Sequence, residues 1–359
     1  MSEPTQLAAP AGPLPADTML AVMWLGLTCY ALFGGADFGA GWWDLLAGGS
    51  RRGRPARALI EHTIGPVWEA NHVWLIFVVV LLWTGFPPVF ASVMSTLYVP
   101  LTLTALGIIA RGAAFAFRKA SERLWQQRLF GACFALSSVV TPFFLGTVAG
   151  GIASGRVPPG LAAGGLLSSW LNPTSLLGGV LAAAVCAHLA AVFLCGDAER
   201  AQDPELTGYF RRRALASGVA AGAVALAGIG VLHADAPGLF HGLTHRALPL
   251  VLASAVLGAA SLALLALRRL LAARAAAALA VTAVLWSWGA AQYPRMLPPD
   301  TTVRSAAAQS PVLVASLISL AVGALLLVPS LLWLYALFQR RPDGGPHASP
   351  VNSDRSPGA

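Results

Sequence analysis

Long apolar stretches constrain the fold of this chain more than any other feature of its sequence. Several of them exceed the roughly 20 residues that a helix needs to cross a bilayer. Inside a bilayer, backbone polar groups must be satisfied by the chain itself, so such stretches form helices there. We therefore predict an all-α polytopic membrane protein with about nine transmembrane helices. We place them near residues 18–47, 58–84, 89–118, 125–150, 172–196, 213–233, 247–269, 273–292 and 311–339.

The distribution of basic residues predicts the orientation, because cytoplasmic loops of membrane proteins carry an excess of Lys and Arg. With the N-terminus outside, the cytoplasmic segments hold 4, 5, 4, 3 and 3 basic residues, whereas the external segments hold 4 altogether. The cytoplasmic segments are residues 48–57, 111–128, 197–213, 268–274 and the tail after 339. This asymmetry predicts nine crossings, with the N-terminus external and the C-terminus cytoplasmic.

The same distribution predicts three regions along the chain. They are an external N-terminal segment (1–17), a transmembrane domain (18–339) and a disordered, Pro/Gly/Ser-rich cytoplasmic tail (340–359). The net charge of +8 then reflects the basic residues of the cytoplasmic segments, which also attract anionic lipid. Nothing in the sequence supports a nucleic-acid partner.

Three charged residues on three successive predicted helices lie at similar depths in the membrane. Asp37 is ten residues before the cytoplasmic end of the first helix, Glu69 eleven residues into the second, and Arg111 seven residues before the end of the third. At about 1.5 Å per residue, these positions are roughly 15, 17 and 11 Å from the cytoplasmic boundary. Asp44 follows Asp37 on the same helical face, nearer the cytoplasm. His72 lies one turn beyond Glu69.

Charges at this depth are costly, so they normally pair, face the protein interior or line water. One interpretation is structural: Arg111 pairs with Glu69 or Asp37 and holds three helices together. The other is functional: the carboxylates form a proton-accessible path from the cytoplasm. The candidate proton-path residues are Glu69, Asp37 and Asp44; the candidate partner and positioning residues are Arg111, Trp68, Asn71 and His72.

The sequence offers little sign of a catalytic, metal or cofactor site within this chain. The four cysteines form no CxxC pair, which favours buried thiols. His72 and His188 lie within predicted helices, but a satisfied interior histidine is the commoner explanation for each. The three external histidines, in the stretch HADAPGLFHGLTH, have no regular metal-ligand spacing. We therefore predict no metal site and no haem ligand here.

Four stretches resemble subunit II of the cytochrome bd-type quinol oxidases. In chain order they are GGADFGAGWWDLL, IGPVWEANHVWLI, LTALGIIARGAAFAFR and WGAAQYPRMLPPDTTV. The resemblance covers about residues 20–340. It implies two four-helix bundles plus one peripheral helix. It also implies a complex that oxidises quinol and reduces dioxygen to water, with protons taken from the cytoplasm of a bacterial cell.

The resemblance places the haems, b and d in type, in a homologous subunit I, and leaves this chain without catalytic activity of its own. It also brings in lipid, a structural quinone and a small single-helix subunit as further partners. Trp68 and Glu69 match the family's Trp–acid pair, which has been linked to proton uptake. Arg111 matches the partnering arginine, and Asp37 the acid of the Gly-rich motif.

The chain departs from the family pattern in ways that suggest a divergent branch. Gly34 stands where an acid is frequent, Glu69 where Asp is commoner, and His72 where a small or acidic residue often stands. Two other functions stay open at this point. A proton-coupled secondary transporter predicts internal symmetry, which the Ala/Leu-rich second half does not have. A purely structural subunit would use Glu69 and Arg111 as an inert ion pair.

Overall fold

A computed structural model of the chain describes residues 13–49, 52–121 and 123–339. The predicted tail (340–359) and residues 1–12 of the predicted external segment lie outside these ranges. Residues 13–17 belong to the first helix. The helices are α1 (Pro13–Leu45), α2 (Arg54–Gly85), α3 (Pro87–Thr96), α4 (Tyr98–Ala120), α5 (Leu124–Ala153), α6 (Pro173–Arg200), α7 (Pro204–Asp235), α8 (Pro237–Thr244), α9 (Leu248–Ala266), α10 (Leu270–Gln292), α11 (Val303–Ala306) and α12 (Ser310–Gln339).

Proline and capping residues set the starts of many helices. Proline lacks an N–H, so it is tolerated in the first turn, where that donor has no intrahelical partner. α6 begins this way after Asn172, whose side chain accepts a hydrogen bond from Ser175 N at 2.9 Å. α7 begins after Asp203, which accepts one from Leu206 N at 2.9 Å. These local signals fix where the chain re-enters a helix after each turn.

The prediction of one helix over 89–118 is wrong, because the chain breaks at Leu97 into α3 and α4. Pro100 explains the break: within a helix it would remove a hydrogen bond and clash with the preceding turn, whereas it fits the first turn of α4. A second break at Phe86 precedes Pro87, and the second half of α2 and α3 meet there at a bend of 120°. α3 is therefore a short helix set off from its neighbours on both sides.

The length and apolar composition of the helices agree with the predicted membrane class. Eight of the described helices could cross a membrane, and a ninth crossing results if the bent pair of residues 71–85 and Pro87–Thr96 counts as one. The predicted boundary between the seventh and eighth helices is confirmed. α9 ends at Ala266 and α10 begins at Leu270, with Arg268 between them at a φ of 60°.

Helix contacts within residues 13–313 form two groups of four. In the first, α1 packs on α2 and α5, and α5 packs on α4. In the second, α6 packs on α7 and α10, and α9 packs on both α7 and α10. α6 also packs on α1 and α5, which joins the groups. Residues 314–339 of α12 form a unit of their own and present an apolar surface, including Leu325, Leu326 and Trp333.

The segment between α10 and α12 contains structure that the sequence did not predict. Strand β1 (Arg295–Leu297) pairs antiparallel with β2 (Thr301–Thr302), with Arg295 opposite Thr302. α11 follows directly, and the side chain of Thr302 caps it by accepting from Ser305 N at 3.2 Å. This hairpin and α11 give the connection from α10 to α12 an ordered structure.

Candidate functional site

A buried ion pair between Arg111 and Asp37 lies at the centre of the first helix group. Arg111 Nη1 donates to Asp37 Oδ2 at 2.7 Å, and Nη2 donates to Oδ1 at 2.6 Å. Nη2 also donates to the Asp37 carbonyl oxygen at 3.1 Å. The two side chains are 1% and 0% exposed. A bidentate ion pair of this kind holds both side chains in one orientation and adds the energy of two charge-assisted hydrogen bonds.

Groups from α5 complete the surroundings of Arg111. Its Nε donates to Ser138 Oγ at 2.8 Å, and Ser138 Oγ donates to the Phe134 carbonyl at 2.6 Å. The rings of Phe38 and Phe134 lie 4.9 and 4.8 Å from Arg111 Cζ, within the range of cation–π attraction. One guanidinium thus connects α1, α4 and α5. Of the two partners left open by the sequence, the structure gives Arg111 the carboxylate of Asp37.

A second ion cluster lies two turns nearer the end of α1. Asp44 accepts from Arg57 Nε and from Arg118 Nη1, each at 3.0 Å, and is only 5% exposed. Arg118 also contacts Glu61 Oε1 at 2.8 Å. Arg57 donates to the Gly48 carbonyl at 2.6 Å, which satisfies a backbone group after the end of α1. The cluster ties together the end of α1, the start of α2 and the end of α4.

The two clusters repeat with one spacing on both helices. Asp37 and Asp44 are seven residues apart on α1, and Arg111 and Arg118 are seven apart on α4. Seven residues are close to two helical turns, so each pair of like residues lies on one face. Two Asp–Arg pairs, two turns apart, therefore connect α1 and α4. Arg118, Arg57 and Ser138 were not predicted as site residues.

The motif on α2 lies beside the same part of α1. Asn71 is 2% exposed, and its Nδ2 donates to the Phe33 carbonyl at 3.2 Å. Phe33 is one turn before Asp37, so this turn of α2 adjoins the turn of α1 that precedes the buried ion pair. His72 is half-buried. Trp68 and Glu69 lie in the helical backbone of α2, and their side chains are outside what the structure describes.

The histidines and cysteines do not converge on a metal centre in the described ranges. No group of three or more His, Cys, Asp or Glu side chains there is placed to hold a metal ion. His188 is buried, with its Nδ1 3.0 Å from the Ala214 carbonyl oxygen. His241 and His245 stack with ring centroids 4.0 Å apart at the end of α8.

Comparison with known proteins identifies the family. The family described as "Cytochrome bd terminal oxidase subunit II" matches residues 15–338. The chain belongs to this family. The match confirms the resemblance drawn from the four motifs. It does not favour the transporter alternative. The Asp–Arg pairs of α1 and α4 lie in two of the stretches that resemble the family, GGADFGAGWWDLL and LTALGIIARGAAFAFR.

Two curated relatives and one solved structure illustrate the likeness. The chain is 29% identical over 177 residues to cytochrome bd ubiquinol oxidase subunit 2 of Bacillus subtilis (strain 168), which is 49% of this chain and 51% of the relative. It is 28% identical over 172 residues to cytochrome bd-I ubiquinol oxidase subunit 2 of Escherichia coli (strain K12), covering 46% of this chain and 44% of the relative. The chain thus matches about half the length of these relatives.

The structural likeness extends over most of the chain. The structure of bd oxidase from Geobacillus thermodenitrificans matches with a TM-score of 0.72 at 23% identity, covering 91% of this chain and 99% of that one. At this identity the likeness concerns the fold. It confirms the prediction of an all-α polytopic membrane protein.

Proposed function

We propose that this chain is subunit II of a membrane-bound cytochrome bd-type terminal oxidase. The complex oxidises quinol and reduces dioxygen to water, and the haems b and d belong to its subunit I. The observation that carries the proposal is the family match over residues 15–338, which includes nearly all the helical part of the chain. The chain has no catalytic activity alone: it serves as a scaffold for subunit I and contributes a route for protons from the cytoplasm.

The scaffold role is supported by how the first helix group is held together. Charged groups that would be costly in lipid are turned inward and joined as ion pairs between α1, α2 and α4. Arg111 alone connects three helices through four hydrogen bonds. A helix group held together in this way keeps its shape while its apolar outer surface contacts lipid or another subunit.

The proton route is assigned to the acids of α1 and α2. Asp44 lies nearest the predicted cytoplasmic end, and Asp37 lies two turns deeper. Because Asp37 already neutralises Arg111, we assign Glu69 as the principal proton-binding group, with Asp37 as the second carboxylate of the route. A carboxyl group in a partly desolvated site near a cation can gain and lose protons near neutral pH. Trp68, Asn71 and His72 position this part of α2.

Replacement of Glu69 tests the route. In the purified complex, Glu69→Gln should lower quinol-dependent oxygen consumption by about a hundredfold, in the range for loss of a group that transfers protons. The optical spectrum of the haems should be unchanged, because the substitution removes charge but little volume. Glu205→Gln, in the exposed first turn of α7, is the matched control and should leave turnover unchanged.

The outcomes separate three roles for Glu69. Normal turnover in Glu69→Gln would contradict the proton-route assignment. Loss of the haem spectrum together with subunit I would instead assign Glu69 to assembly, as the inert ion-pair hypothesis requires.

Isolation of the native assembly tests the oxidase assignment itself. A second large subunit and a haem spectrum should accompany this chain from the bacterial cytoplasmic membrane. Solvent extraction and mass spectrometry of the same preparation would identify a structural quinone, bound lipid and a small single-helix subunit. A colourless preparation without a second large subunit would overturn the proposal.

A further inference from the structure

Tyr30 places a hydroxyl group at the centre of α1 without a partner from the protein. Its side chain is 8% exposed, and its hydroxyl oxygen is buried with no hydrogen-bond partner in the described part of the chain. The ring lies over Gly34: a Cβ at that position would be 3.3 Å from Tyr30 Cε2. The missing side chain of Gly34 therefore makes room for the phenol.

Asn71 presents a second polar atom of the same kind. Its Nδ2 is bonded to α1, but its Oδ1 is buried without a hydrogen-bond partner among the described residues. Both residues lie at the middle of their helices. Tyr30 has 17 residues of α1 before it and 15 after it, and Asn71 has 17 residues of α2 before it and 14 after it. At this depth neither membrane surface is within reach of a side chain.

Tyr30 lies two turns before Asp37 on α1, and Asn71 contacts α1 one turn before Asp37. Asn71 contacts the carbonyl of Phe33, which stands between Tyr30 and Asp37 on α1. Asp37 itself is seven residues, or roughly 10 Å, nearer the predicted cytoplasmic end of α1 than Tyr30. The polar layer thus continues outward from the ion pair to the middle of the membrane.

Unpaired polar atoms inside a protein are costly, and native structures satisfy them with ordered water where the protein supplies no partner. An internal water needs two to four polar partners. Tyr30 can both donate and accept a hydrogen bond, and Asn71 Oδ1 can accept. A hydroxyl and an amide oxygen at the middle of two packed helices are groups suited to holding such water.

We propose that Tyr30 and Asn71 bind internal water at the middle of the membrane, and that this water carries protons outward from the acids of α1 and α2. The second part rests on the proposed oxidase function. In each transfer, the Tyr30 oxygen accepts a proton from one neighbour as its own proton passes to the next. The phenol is unchanged at the end, and no oxidant or reductant is needed. Tyr30 is a relay and positioning residue.

Tyr30→Phe tests the inference, because it removes the hydroxyl and keeps the ring over Gly34. In the purified complex, turnover should fall by about tenfold, less than for loss of a principal acid because other waters bridge part of the gap. The KM for quinol should stay unchanged, and the solvent isotope effect on kcat in heavy water should increase. A structural role alone would not raise that isotope effect.

Tyr209→Phe is the matched control. Tyr209, on α7, also has a buried hydroxyl without a partner in the described chain, but it lies in the second helix group. Its loss should leave turnover and the isotope effect unchanged. A high-resolution map of the wild-type complex should contain ordered water within hydrogen-bonding distance of Tyr30 Oη, and that water should be lost or displaced in Tyr30→Phe.

The outcomes distinguish this inference from the proposed function. If wild-type complex consumes no oxygen, the oxidase assignment fails, and the map alone decides whether the water site exists. If wild-type complex is active and Tyr30→Phe behaves like Tyr209→Phe, the relay is overturned. A map in which Tyr30 Oη bonds directly to protein or lipid overturns the water site as well.

Discussion

At the scale of single residues, the Asp37–Arg111 pair contributes specificity more clearly than it contributes stability. Removing two charges from water is expensive, and buried ion pairs are often no better than apolar residues of similar volume. Breaking such a pair by removing one partner is different, because it leaves an uncompensated charge inside. The pair therefore fixes the register of α1 against α4, and its two halves depend on one another.

Asp37→Asn should destabilise the complex by about 3–5 kcal/mol, because the guanidinium would stay buried with no counter-charge. Thermal inactivation of the purified complex measures the effect. Asp203→Asn is the control, since Asn caps a helix as well as Asp does and should change little. The double variant Asp37→Leu/Arg111→Met should recover most of the loss. If the double variant regains stability but not oxygen consumption, the two charges serve function. If it is as unstable as Asp37→Asn, the unpaired guanidinium is not the cause of the destabilisation.

Sequence reasoning gave these residues matching positions along their helices but left the partner of Arg111 open. Positions along a helix follow from residue counts, so Asp37 and Arg111 could be assigned to one layer in advance. Which acid faces Arg111 depends on how α1, α2 and α4 rotate against each other, and one sequence does not specify that rotation. Tyr30 was missed because a single tyrosine in an apolar stretch usually belongs to the core. Only the missing partner of its hydroxyl marks it as different.

At the scale of helices, close approach between backbones defines the junction of the two helix groups. A Cβ on Gly146 of α5 would lie 2.3 Å from the Gly178 carbonyl oxygen of α6, and one on Gly178 would lie 2.5 Å from the Gly146 carbonyl oxygen. On α1, a Cβ on Gly39 would lie 1.8 Å from the Cys186 carbonyl oxygen. These glycines are required because backbone atoms, unlike side chains, cannot move aside. Small residues serve the same purpose in many membrane helix pairs.

Gly178→Ala should therefore destabilise the complex by about 1–3 kcal/mol, the usual cost of overpacking. Gly222→Ala on α7 is the matched control, because a Cβ there would meet nothing within 4 Å. That control should be neutral or stabilising by up to about 1 kcal/mol, since Ala is the better helix former. Denaturation midpoints of both variants check the difference. Equal midpoints for the two variants would mean that α5 and α6 accommodate a Cβ at position 178 without loss of stability.

The elements themselves were largely predictable, and the exceptions have physical causes. Apolar length gave the main helices, since a bilayer imposes a minimum span. The break at Leu97 was missed because the stretch from 89 to 110 contains no charged residue, and only Pro100 indicates a new helix start. The hairpin of β1 and β2 was missed because five residues of strand carry too little pattern to separate them from a loop.

At the scale of the whole molecule, the basic residues gather at one end of the helix groups and also take part in packing there. Arg57 and Arg118 bind Asp44 at the ends of α1, α2 and α4. Arg274 and Arg200 contact Asp197 where α6 ends and α10 begins. At the opposite end, Arg156 pairs with Asp235 at the end of α7, and Asp235 also accepts from Thr174 at the start of α6. The charges that predict orientation are therefore also structural contacts.

This distribution predicts that the C-terminus and the turn between α6 and α7 are cytoplasmic, and that the turn after α8 is external. Reporter fusions test the three positions in cells. Green fluorescent protein should fluoresce when fused after Gln202 or after Ala359, and alkaline phosphatase should be active when fused after Arg246. Reversed activities at all three positions would invert the orientation. Phosphatase activity after Ala359, with the other two positions as expected, would require an odd number of crossings after the α6–α7 turn. Because an external Arg246 means that α7 crosses, one of α9, α10 or α12 would then not span the membrane.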